Sequence, residues 1–185
     1  MTNKQEKMIC NSFGIAKLKA FQKNVITDLL NGKDVLGLAR TSEGKSICFL
    51  SMIAMYPNDL LIGILPTVAL MRDLVQRCED SEIRAGCLYS GNTENTNVIE
   101  RLTHRKLQAL FVAPERLSDP RLWKAIQKNS VHTVVVDEVH CLTEWGNEFR
   151  PMYRNIGKFI KDLPNSPVVA AFSATVMPDD IPYIV

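Results

Sequence analysis

Short apolar runs alternate with longer segments whose apolar positions recur at helical spacing. Leu18–Leu30, Lys45–Tyr56, Val68–Cys78, Val98–Arg105 and Arg121–Lys128 carry the spacing of helices, in which one stripe faces a core. Between them lie Asp34–Leu38, Leu60–Leu65, Ile83–Leu88, Ala109–Val112, Val131–Val136 and Val168–Phe172. These runs are short and mostly apolar, as strands buried on both faces are, and Val131–Val136 is rich in β-branched residues as well. Strand and helix alternate along the chain. The pattern predicts an α/β fold, in three layers, with a mostly parallel central sheet and helices on both faces.

Polar clusters follow several of the apolar runs directly. In open parallel sheets the ligand crevice lies at the carboxyl ends of the strands. The first cluster is Ala39-Arg40-Thr41-Ser42-Glu43-Gly44-Lys45-Ser46. It fits the A-x-x-x-x-G-K-S form of a phosphate-binding loop, after a predicted strand and at the start of a predicted helix. Backbone N–H groups from Thr41 to Ser46 are placed to wrap a phosphate, assisted by the helix dipole. Lys45 supplies a cation to β- and γ-phosphates, and Ser46 offers a hydroxyl to Mg²⁺.

The second cluster ends the run Val134-Val135-Val136 with Asp137-Glu138-Val139-His140. Asp137 is the candidate Mg²⁺ ligand beside Ser46. Glu138 is the candidate that polarises an attacking water, and His140 a candidate link to a neighbouring segment. Together the two clusters point to ATP with Mg²⁺ as the bound cofactor.

Composition narrows the class without choosing within it. The 185 residues suffice for one full-sized domain, and 46% apolar content fills a core. A net charge of +2 announces no polyanion partner, although a local basic face fits within such a total. The five cysteines are scattered and odd in number, with no C-x-x-C pair, which argues against a zinc site or a disulfide framework. Met1–Lys7 is polar and lacks the apolar stretch of a signal peptide. No apolar run reaches the length of a membrane span. A cytoplasmic protein is expected, nucleoid-associated if bacterial.

Several further segments carry a family likeness. Phe13-Gly14 with Lys19 and Gln22 resembles an adenine-recognition motif, with Lys in place of Arg. Leu65-Pro66-Thr67-Val68-Ala69-Leu70-Met71-Arg72-Asp73 resembles helicase motif Ia, and Val112–Leu117 reads V-A-P-E-R-L. Asp137–Arg154 parallels D-E-A-H-C-[IL]-S-x-W-G-H-D-F-R-P-x-Y, and Phe172-Ser173-Ala174-Thr175 resembles motif III. In this order, over roughly residues 13–176, the chain resembles the first RecA-like domain of superfamily 2 helicases, most closely the RecQ family.

The resemblance implies a set of roles. Gln22 would read adenine, with Lys19 near the base or ribose. Trp145, Phe149 and Arg150 would form the loop that senses single-stranded DNA and couples it to hydrolysis, since bases stack on aromatic and guanidinium planes. Thr67, Arg72 and Arg116 would lie toward the DNA backbone. Ser173 and Thr175 would connect the nucleotide and DNA sites through hydrogen bonds. The implied activity is a 3′-to-5′ DNA helicase acting on single-stranded or forked DNA.

The chain departs from the family pattern in places. Ser42 and Glu43 stand for loop glycines, Asn147 for a coupling His, and Ile15 for an aromatic that stacks on adenine. Glu43 and Asn147 support a second reading, a non-catalytic module that holds nucleotide or nucleic acid without turnover. The chain stops at Val185, shortly after motif III. The resemblance implies a second RecA-like domain that brings an arginine finger, worth ~10³–10⁵ in rate in related enzymes. Residues 1–185 are therefore expected to form one RecA-like domain with a polar lead-in over 1–12. Alone, it would bind ATP weakly, hydrolyse it slowly and not unwind DNA.

Overall fold

A computed structural model describes residues 1–39, 43–139 and 155–174. Six strands form one sheet: β1 (Val35–Leu38), β2 (Leu60–Ile64), β3 (Ala85–Leu88), β4 (Ala109–Val112), β5 (Val131–Val136) and β6 (Val168–Ser173). Their order is β1-β6-β5-β2-β4-β3, and every neighbouring pair is parallel. The helices are α1 (Asn3–Ser12), α2 (Ala20–Leu30), α3 (Lys45–Met55), α4 (Val68–Asp80), α5 (Asn95–Thr103) and α6 (Pro120–Ile126). Residues 155–162 are also helical.

The strands are apolar throughout because both faces are covered. Successive side chains point to opposite faces. Leu61, Phe111, Val135, Ala170 and Phe172 enter a core with α1, α2, α3 and α4. Their strand neighbours Ile62, Leu110, Val112, Val134, Val136 and Ala171 enter the other, with α5, α6 and the helix at 155–162. Parallel strands require crossover connections, and the helices that make them supply both covering layers.

Two glycines set the packing of the first layer. Gly63 pairs with Phe111 across β2 and β4, and Gly37 with Phe172 across β1 and β6. A Cβ on Gly63 would stand 2.6 Å from the Phe111 ring, and one on Gly37 2.7 Å from the Phe172 ring. Each phenyl ring lies over the bare backbone of the adjacent strand.

The structure adds two helices to those read from the apolar pattern. The lead-in 1–12 contains α1, begun by a capping box in which Thr2 and Gln5 satisfy each other's backbone N–H groups. Its buried residues, Ile9 and Cys10, are adjacent in sequence and so leave no helical period to read. The helix at 155–162 buries Ile156 and Phe159 beneath Trp123, whose ring centroid lies 5.5 Å from that of Phe159. Helix α5 begins at Asn95, three residues before the apolar pattern does.

Candidate functional site

Strand order brings the two sequence clusters together. β6 lies between β1 and β5, so the loop leaving β1 and the acids ending β5 flank the same strand. The β6 backbone reaches both: the Ser173 carbonyl accepts the Ala39 N–H at 3.0 Å, and the Phe172 carbonyl accepts the Val139 N–H at 3.0 Å. The Asp137 N–H is held by the Ile64 carbonyl at the end of β2, at 3.1 Å. Three main-chain bonds thus tie four neighbouring strand ends together around the site.

Gly44 precedes the first turn of α3 with φ +75°, in the left-handed region that favours glycine. The turn places Lys45 as the first helical residue and buries it to 6% exposure. Its ammonium lies 3.4 Å from Asp137 Oδ1 and 3.3 Å from Glu138 Oε1. Asp137 is buried as well. Burial pushes its carboxyl above the ordinary range, Lys45 pulls it back down, and the Glu138 charge pushes it up. Glu138 N–H donates to Asp137 Oδ1 at 3.0 Å. Glu138 itself has φ +54°, a conformation costing a non-glycine residue about 1–2 kcal/mol. The chain bends there, and both carboxylates face one ammonium.

Gln22 is almost fully buried and tied to the phosphate loop. Its amide Nε2 donates to the carbonyls of Gly44 at 3.1 Å and Glu43 at 3.4 Å, while Oε1 accepts the Lys19 N–H at 2.8 Å. A Cβ on Gly44 would approach Gln22 Nε2 to 2.7 Å, so only glycine leaves room for this contact. Gln22 therefore fastens the start of α2 to the loop. Its adenine-reading role, implied by resemblance, would require it to exchange one of these bonds. Lys19 is exposed at the N-cap of α2.

Ser46 sits in the first turn of α3, and its hydroxyl accepts a hydrogen bond at 3.4 Å from Arg77 Nη1 of α4. Arg77 and Asp73 line the same cleft as Gly44, Lys45, Asp137 and Glu138. Arg77 belongs to none of the sequence motifs, and Asp73 enters them only as the last residue of the motif Ia likeness, with no role at the nucleotide. An exposed i,i+4 ion pair on a helix is too ordinary a pattern to mark a site.

Ser46 and Asp137 offer two oxygen donors of the hard type that Mg²⁺ takes. Among the described residues no group of three or more His, Cys, Asp or Glu side chains is placed to hold a metal. Mg²⁺ commonly binds through one or two protein oxygens together with substrate phosphates, so this donor set fits it.

The residues that the resemblance assigns toward DNA lie beyond the carboxyl ends of β2 and β4 and on α4. Thr67 follows β2 and caps α4, its hydroxyl accepting the Leu70 N–H at 3.4 Å. Arg72 donates from Nε and Nη2 to the Tyr89 hydroxyl beyond β3, at 3.1 and 2.6 Å. Arg116 follows β4 and pairs with Asp119 at 2.6 Å. Ser173 is fully buried at the end of β6. Thr41, Ser42, His140, Trp145, Phe149, Arg150 and Thr175 lie outside the described residues.

Comparison with known proteins places this geometry. Residues 19–181 match the DEAD/DEAH box helicase family. The chain is 32% identical over 160 residues to the ATP-dependent DNA helicase RecQ of Haemophilus influenzae, covering 85% of this chain and 26% of that protein. It is 31% identical over 183 residues to the RecQ helicase of Bacillus subtilis, covering 97% and 31%. It thus spans between a quarter and a third of the length of these relatives. The crystal structure of the DUF1998 helicase MrfA, bound to DNA and AMPPNP, superposes with a TM-score of 0.73 at 19% identity, over 96% of this chain and 27% of that one. That likeness concerns the fold. With the phosphate loop and the acidic box meeting beside β6, and the family match running through both, this chain, similar to RecQ helicases, belongs to the DEAD/DEAH box helicase family.

Proposed function

We propose that this chain binds ATP with Mg²⁺ and forms the motor domain of a RecQ-like DNA helicase. In the full-length protein it would couple ATP hydrolysis to 3′-to-5′ translocation and unwinding of forked DNA. The observation that carries this is the Lys45 ammonium held between Asp137 and Glu138. A cation between two carboxylates has an obvious exchange partner in a polyphosphate. When phosphate takes the ammonium, both carboxylates are released on the cleft side. Glu138, the more exposed, then orients the attacking water and accepts its proton. Asp137 and Ser46 would hold Mg²⁺, which supplies charge neutralisation for the phosphoryl group.

The complete ion triad favours turnover over a module that only holds nucleotide. Single-stranded DNA would pass over the surface formed by Thr67, Arg72 of α4 and Arg116, where hydroxyls and cations suit phosphates. The β6 main chain, bonded to both Ala39 and Val139, offers a rigid path between nucleotide and DNA sites. A second RecA-like domain of the same protein would close the cleft. The relatives' names, ATP-dependent DNA helicases, support DNA as the polymer, and the setting proposed is DNA repair or recombination. No described helix is long and apolar enough to cross a membrane, and the working compartment would be the cytoplasm.

The test is ATPase activity of the full-length protein with and without single-stranded DNA. Glu138→Gln is expected to lower kcat by ~10²–10⁴, the usual contribution of a positioned general base, while ATP binding persists. Absence of DNA stimulation in the wild type would refute the motor reading.

A further inference from the structure

Helix α4 turns one face to the nucleotide cleft. Leu70, Asp73, Leu74 and Arg77 line it, at the three- and four-residue spacing of a single helical face. Arg77 Nε pairs with Asp73 Oδ2 at 2.9 Å, both side chains being about half exposed. By itself such a pair contributes little and needs no function.

A second contact sets Arg77 apart. Its Nη1 donates to the Ser46 hydroxyl at 3.4 Å, reaching another helix at the residue suited to the nucleotide's cation. A phosphate oxygen that shares a cation with Ser46 is drawn beside that hydroxyl, where the guanidinium already stands. Arginine matches phosphate geometry with a planar fork of donors.

Charge points the same way. Among the described residues lining the cleft, Lys45 and Arg77 are the cations, against Asp73, Asp137 and Glu138. Lys45 is already engaged by two carboxylates. An entering triphosphate brings further negative charge, and Arg77 is the exposed cation positioned to meet it.

We propose that Arg77 is a nucleotide-contacting residue of this domain. It binds the terminal phosphate and so favours triphosphate over diphosphate, with Asp73 as a positioning residue that aims the guanidinium into the cleft. The inference rests on the ATP-site reading above and deepens it.

Equilibrium titration of the 185-residue chain with fluorescent derivatives of ADP and of a non-hydrolysable ATP analogue tests it, with Mg²⁺ present. Arg77→Ala is expected to weaken the triphosphate about tenfold, equivalent to about 1.4 kcal/mol, and the diphosphate less than twofold. Arg77→Lys should recover part of that loss. Asp73→Asn should weaken the triphosphate about threefold, since the guanidinium remains but is no longer aimed. Melting temperatures should stay level, because both side chains are exposed. If wild type binds both nucleotides and Arg77→Ala leaves the triphosphate-to-diphosphate ratio unchanged, or raises it, the inference is overturned while the ATP site stands. If folded wild-type chain binds neither, the ATP-site reading falls and takes the inference with it.

Discussion

Lys45 is the counter-ion of two acids, and its removal should cost stability in a pH-dependent way. Its side chain is 7% exposed, that of Asp137 9% and that of Glu138 23%. At separations of 3.4 and 3.3 Å and an effective dielectric of about 20, each attraction is gross about 5 kcal/mol. Much of that offsets desolvation, and truncating one member of a buried pair costs about 3–5 kcal/mol. Proton uptake caps the cost. Starting from an ordinary carboxyl pKa of about 3.9, a neutral Asp137 at pH 7 costs about 4 kcal/mol, and at pH 5 about 1.5 kcal/mol.

The sign follows from Asp137. Burial has raised its carboxyl in the fold, so its contribution is full below the unfolded pKa and is lost as pH rises through the folded one. Without Lys45 the folded value climbs further, and the loss moves to higher pH. Lys45→Ala should therefore be less stable than wild type by about 3–4 kcal/mol at pH 7, and by about 1.5 kcal/mol or less at pH 5. Urea unfolding of both proteins, followed by circular dichroism at pH 5, 6 and 7, measures this. Lys45→Ala/Asp137→Asn should recover most of the pH 7 deficit. A deficit equal at pH 5 and pH 7, or a Lys45→Ala variant more stable than wild type at pH 7, would refute the reasoning.

Two further substitutions probe the backbone that carries the site. Gly44→Ala puts a side chain at φ +75° and a Cβ 2.7 Å from Gln22 Nε2, so it should cost about 1–2 kcal/mol and abolish nucleotide binding. Binding at wild-type strength in a nucleotide titration would show that the Gln22 contact is not what shapes the loop. Gly63→Ala drives a Cβ to 2.6 Å from the buried Phe111 ring and should cost about 1–3 kcal/mol in a urea melt, with Phe111→Leu in the same chain restoring part of it.

Much of this protein was legible along the chain. Val131–Val136 reads as a buried strand because every position but His132 is β-branched, and that strand forms with the same bounds. Gly44, Lys45 and Ser46 announce a phosphate loop because a helix start without a Cβ at its cap is a local requirement. Asp137 and Glu138 follow an apolar run directly, which marks a strand end without any knowledge of neighbours. Element type, motif chemistry and family likeness all depend on residues close in sequence, and the sequence alone determined them.

Tertiary structure decided the rest. That β6 sits between β1 and β5, and so brings Lys45 to Asp137 and Glu138, depends on strand order, which local pattern does not encode. The resemblance implies that Gln22 reads adenine, and only the fold shows its amide resting against the Glu43 and Gly44 carbonyls. Helix α1 went unread because two adjacent buried residues make no period, and its burial comes from packing on α3. Arg77 was an ordinary helix-surface cation until α4 was laid beside α3, where its guanidinium meets Ser46. Local sequence sets which groups exist and how each segment bends. Which groups meet is set by the packing of faces whose partners lie tens of residues away.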